Sequence, residues 1–172
     1  MLRDYPGWKA ADQEKFKTLV CTVFLPACLD FWTNCTHESW AGPAAAANMM
    51  MAVYLDDEDV YNQAVAYFKG GEEWKTIGKP GHGHNIGSVM NVVYDSKTGQ
   101  IGEMGRDLPH AAIGPAFLAM MCQIAWNQGD DLYGFDNNRL LRGFEYYCKS
   151  NLNNPVPWVT YQWCAKACRH PT

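Results

Sequence analysis

No apolar run in the chain approaches the ~20 residues that a membrane-crossing helix needs, so a transmembrane protein is not expected. Lys and Arg do not cluster and the net charge is −4 at pH 7, so a nucleic-acid-binding module is not expected either. No low-complexity linker or sequence repeat divides the chain, so residues 1–172 read as one domain. Charged residues are scarce at 19% against 48% hydrophobic ones, which excludes a disordered chain. A chain of this length buries a core without help from disulfides or metals. Met1 to Pro6 has no apolar h-region, so no signal peptide is expected there.

The cysteine count is seven and therefore odd, which leaves at least one thiol unpaired within the chain. Cys122 and Cys148 fall in apolar helical patterns and read as small core residues. Cys164, Cys168 and His170 make a C-x3-C-x-H run without a second cluster nearby, which argues against a four-ligand structural zinc. Nothing else has the ligand spacing of a catalytic metal, so neither metal nor cofactor is expected. Asn34-Cys35-Thr36 is a glycosylation sequon.

Aromatic residues are plentiful, with 7 Trp and 9 Tyr. Flat rings suit the apolar faces of pyranoses, and they also suit an aromatic-rich core. Most of the chain has helical spacing. Phe16, Leu19, Val20 and Val23 form one stripe that Pro26 should kink or end. Ala44 to Tyr54 forms a second helix. The acidic run Asp56 to Asp59 then starts a third, with Tyr61, Ala64, Val65 and Phe68 inward and Gly70 at its end. Residues 79–87 read as a loop. Val89 to Tyr94, a turn at Ser96 to Gly99 and a return over Gln100 to Met104 predict a short β-hairpin. A long apolar helix through Ile113, Phe117, Met121 and Ile124 stops at Gly129. Asp136 or Asn137 should cap the last helix, with Leu140, Leu141, Phe144, Tyr147 and Cys148 inward. Arg139 and Arg142 on it read as solvated or paired with acids, and Tyr133 and Tyr146 as packing residues.

Three loops hold polar residues that can converge at one end of such helices. They are Asn34 to Trp40 with His37, the loop with His82 and His84, and the segment from Gly102 to His110. In the third, Asp107 fits a helix cap with Arg106 as its ion-pair partner.

The segment Gly105-Arg106-Asp107-Leu108-Pro109-His110 is followed by Ala125-Trp126-Asn127-Gln128-Gly129-Asp130-Asp131-Leu132-Tyr133-Gly134 and by Asn138 to Tyr146. Together these resemble the alginate-lyase-like family of polysaccharide lyases, with its "GRDQxH", "AWNQGxDLYG" and "NRLLxGFEY" elements. The likeness runs from about Gln100 to Pro157, and more loosely over Met49 to Phe68. Leu108 stands where the family has Gln, Pro109 where some relatives have Tyr, and Ser39-Trp40 about where it has Asn-Trp.

The resemblance implies an all-α fold, made of antiparallel helix pairs of an incomplete α/α toroid with the one hairpin. The chain would then be a shortened member or a fragment. It implies β-elimination on a uronate-containing, anionic polysaccharide by a secreted protein. In that chemistry a cation neutralises the uronate carboxylate, a base removes the C5 proton and an acid serves the leaving oxygen. Arg106 matches the first role and His110 the base, with His37 and Asn34 assisting. Tyr94 is the candidate acid. Trp40 would stack on sugar, His82 and His84 would contact polymer, and Asp107 would orient Arg106 or His110. The competing readings are a non-catalytic carbohydrate-binding remnant and a purely structural one. An incomplete toroid also leaves an apolar flank, which a second copy would cover.

Overall fold

Small side chains set the spacing at the centre of this molecule. The computed structural model describes residues 4–32, 38–70 and 88–159, and every regular element among them is a helix. Helix α1 (Ala10–Leu19) passes through a π-helical turn, Val20–Phe24, into α2 (Leu25–Trp32). Then come α3 (Glu38–Leu55), α4 (Glu58–Lys69), the single turn α5 (Val89–Val92), α6 (Leu108–Gln128) and α7 (Phe135–Asn151). The main interface joins α3 to α6. Both helices bury mostly small residues in the common core: Ala41, Ala45, Met49 and Ala52 on α3, and Ala111, Leu118, Cys122 and Ala125 on α6. A Cβ on Gly42 would lie 3.4 Å from the Phe117 Cβ, so the two helices meet closely. A side chain larger than a methyl at Gly42 would overpack that approach.

Helix ends follow local chemistry. Asp57 caps α4 by accepting the Val60 N–H at 3.0 Å, and Gly70 ends it at φ 75°. Gly129 does the same for α6 at φ 95°. Pro26 does not end the helical run, which continues through it as α2. The chain widens into the π-turn just before it, which relieves the ring's clash with the preceding turn.

Several expectations are corrected. Val89–Val92 is a helical turn, and no strand occurs among the described residues, so the hairpin does not form. Buried Val89, Val92 and Val93 have i, i+3, i+4 spacing, a helical period rather than strand alternation. The chain does turn back through an Asp95-anchored loop, but a single backbone bond, Gly102 N–H to the Val92 carbonyl at 2.7 Å, joins its limbs there. Asp136 and Asn137 do not cap α7. With Asn138 they form a left-handed turn at φ 47°, 56° and 58°, a conformation that Asp and Asn tolerate better than most residues. That rotates the helix, so Leu141 and Cys148 face outward.

Arg139 is buried rather than solvated. Its guanidinium donates to the carbonyls of Met90, Val93 and Tyr94 and pairs with Asp136 at 2.7 Å. Cys122 is a core residue as expected, and burial pushes its thiol up to about 12. The run Leu108–Gln128 is, contrary to expectation, long and apolar enough by composition to cross a bilayer. In this fold its buried face packs on α3 and the core.

Candidate functional site

The start of α6 gathers the charged residues of the third loop. Asp107 is its N-cap, with extended backbone, and accepts the His110 N–H at 2.9 Å. Its carboxylate also lies 2.7 Å from His110 Nδ1. An ionised carboxylate only accepts, so Nδ1 is the donating nitrogen and Nε2 is the ring nitrogen left for another partner. The same carboxylate is 3.7 Å from Arg106 Nε. These contacts hold the Asp107 carboxyl below its ordinary value, the His110 backbone bond first, then the imidazole, with Arg106 adding its charge.

On its other side Arg106 Nη1 donates to Glu103 Oε1 at 2.7 Å. The Glu103 side chain is 2% exposed and Arg106 is 45% exposed, so a buried carboxylate holds a half-open cation. Glu103 itself sits at φ 59°, in the left-handed region. Residue order offers Arg106 two ion-pair partners, Glu103 three residues before it and the adjacent Asp107. Both expected contacts of a helix-start ion pair are therefore present. His110 nevertheless does not turn into the core; its side chain is 34% exposed.

Tyr94, the expected acid, donates its hydroxyl to the Val159 carbonyl at 3.0 Å. Another phenol is nearer the α6 start. Tyr147 on α7, expected only to pack, places its hydroxyl 3.3 Å from the Leu108 carbonyl. Tyr146 packs as expected, buried and donating to the Pro157 carbonyl. Tyr133 does not, being exposed beside Trp126. Trp40 projects from the first turns of α3, 62% exposed. Asn34, His37, His82 and His84 lie outside the described residues, as does the Cys164–Cys168–His170 run.

Two open concavities sit elsewhere, at the α3–α4 corner. One, of about 220 Å³, is lined by Asp56, Asp57, Tyr61 and Gln128; the other, of about 560 Å³, adds Lys17 and Cys21 to the same acidic run. Neither includes Arg106, Asp107 or His110. Among the described residues no three His, Cys, Asp or Glu side chains converge to hold a metal. The arrangement at α6 can do two things chemically: present a guanidinium to a carboxylate, and accept a proton at a fixed imidazole nitrogen. Comparison with known proteins adds no relative: no family model, no curated protein and no solved structure matches this chain.

Proposed function

We propose that the chain is a polysaccharide lyase, or a shortened relative of one, that cleaves a uronate-containing polymer by β-elimination. The observation that carries this reading is the Arg106–Asp107–His110 group on the first turn of α6. The likeness of residues 100–157 to the alginate-lyase-like family, and the incomplete toroid it implies, support it. A uronate C5 proton is weakly acidic because its removal places negative charge beside a carboxylate. Arg106 meets that charge through Nη2, while Glu103 holds Nη1 and Asp107 faces Nε. His110 takes the C5 proton at Nε2, and Asp107 stabilises the imidazolium that results. The C4–O4 bond then breaks to leave a C4=C5 double bond, and the leaving oxygen takes a proton. Tyr147 supplies it, because its hydroxyl lies at the Leu108 carbonyl on the first turn of α6 beside the Arg106 group, whereas that of Tyr94 lies at the Val159 carbonyl. Trp40 offers a ring for a neighbouring sugar.

The test is ultraviolet absorbance of the unsaturated uronate product across a panel of mannuronan, guluronan and glucuronan. Arg106→Ala should lower turnover about 10²- to 10³-fold, as for loss of an oxyanion-hole donor. His110→Ala should remove most of the rate, and Tyr147→Phe should cost more than Tyr94→Phe. No product from any polymer, or full activity in His110→Ala, counts against the reading.

A second reading, a non-catalytic uronate-binding remnant, is favoured by the close Arg106–Glu103 pair, which already neutralises part of the cation. It expects retention on uronate polymers without absorbance change.

A further inference from the structure

The far end of α6 carries a different surface. Trp126 is 59% exposed and Tyr133 is 39% exposed, although each has apolar area enough to be a core residue. Their rings meet at 6.4 Å between centroids and 64° between planes, so they form an open corner rather than a flat stack. Beside the corner an amide chain runs along exposed positions of α6. The Tyr133 hydroxyl donates to Gln123 Oε1 at 3.2 Å, and Gln123 Nε2 donates to Asn127 Oδ1 at 3.1 Å. That order fixes both amide orientations and leaves the exposed Asn127 NH₂ pointing outward as a donor. Asp131 adds acceptor oxygens on the loop that carries Tyr133, where one of them accepts the Gly134 N–H at 2.9 Å.

We propose that Trp126 and Tyr133, with Gln123, Asn127 and Asp131, form a binding platform for a neutral pyranose. A pyranose has an apolar face of axial C–H groups and a rim of hydroxyls. One ring of the corner stacks on the face, the other closes its edge, and the amides and carboxylate pair with the rim. None of these five residues is a cation, and Asp131 repels a sugar carboxylate, so the ligand is a neutral hexose or pentose unit rather than a uronate. Sixteen residues of α6 separate Trp126 from His110, roughly 24 Å along the axis. The platform is thus distinct from the Arg106 group and does not rest on the lyase reading.

Affinity electrophoresis of the full chain in gels containing soluble neutral β-glucan, mannan or xylan tests it, with alginate and polyglucuronate gels alongside. Retardation is expected in at least one neutral polymer. Trp126→Ala should weaken it about tenfold, a loss of the size expected for one buried aromatic contact, while Trp126→Tyr retains it. Gln123→Ala should weaken it less, and His110→Ala should leave it unchanged. Circular dichroism should be unaltered in the Trp126 and Gln123 variants, because those side chains are solvent-facing. Absence of retardation in every neutral polymer overturns the proposal. So does retardation that Trp126→Ala and Gln123→Ala leave intact, or retardation by the uronate polymers alone.

Discussion

Asp107 combines three jobs in one carboxylate: it caps α6, holds His110 Nδ1 and faces Arg106. Its hydrogen bonds to the His110 backbone and ring depress its pKa, and Asp95 is depressed likewise, first by the Thr98 hydroxyl. A carboxyl depressed in the folded state adds stability above its unfolded pKa and loses it as pH falls through the folded one. The melting temperature should therefore hold at pH 5 and above, then decline from about pH 4 downward. Asp107→Asn should flatten part of that decline and lower the melting temperature near neutrality. Thermal melts at stepped pH check this; a variant with the parent's acid profile would show that the carboxylate makes no net contribution. The same substitution should loosen the imidazole at Nδ1, which is why its effect on any activity should exceed its effect on stability.

Element by element, the least obvious join is that between α7 and α5. Arg139 leaves α7 and donates to carbonyls of Met90, Val93 and Tyr94 at and just beyond the end of α5, a turn too short to satisfy its own last acceptors. Asp136, held in the left-handed turn, completes the guanidinium's shell. Gly99 closes the adjoining loop at φ 83°, where a Cβ would lie 2.3 Å from the Arg142 carbonyl oxygen. Removing Arg139 takes the donor from one buried and two half-buried carbonyls and the partner from the half-exposed Asp136 carboxylate. Arg139→Leu should accordingly cost on the order of 3 kcal/mol, measured by urea unfolding. Arg139→Lys should recover little of that loss, because an ammonium lacks the planar fork that reaches three carbonyls. A loss below about 1 kcal/mol, the net value of one ordinary hydrogen bond, would show the carbonyls find other partners.

Across the whole molecule, apolar surface is unevenly covered. The face of α1 and the π-turn exposes Leu19, Val23 and Phe24, at 41%, 50% and 44%, while Val20 between them is buried. Phe16 is anchored to the body of the fold by ring contacts with Trp8 and Tyr54. An apolar strip of this kind favours association with a second copy. Light scattering across a concentration series should show a rise in mass. Leu19→Glu with Val23→Lys should hold the chain monomeric without lowering its melting temperature. A parent chain of constant monomer mass at all concentrations would dispose of the idea.

Periodicity and capping chemistry were enough to read the helices from residue order. The 3.6-residue stripe of Ala64 and Phe68, the Asp57 and Asp107 caps and the Gly70 and Gly129 stops are all encoded within one or two turns of chain. Candidate charges at the α6 start were equally legible, because Glu103, Arg106, Asp107 and His110 lie within eight consecutive residues. What residue order did not decide was anything set by a distant neighbour. Val89, Val92 and Val93 read as a strand until the core requires all three to face one way. Arg139 read as solvated or paired with Asp130, Asp131 or Glu145 until α5 places three carbonyls around it and Asp136 becomes its acid. Tyr147 packs against the core as its spacing predicts, whereas Tyr133, read as a packing residue, is turned outward by the loop before α7. Local propensity acts over a few residues, whereas burial and hydrogen-bond satisfaction are decided by whatever the fold brings alongside.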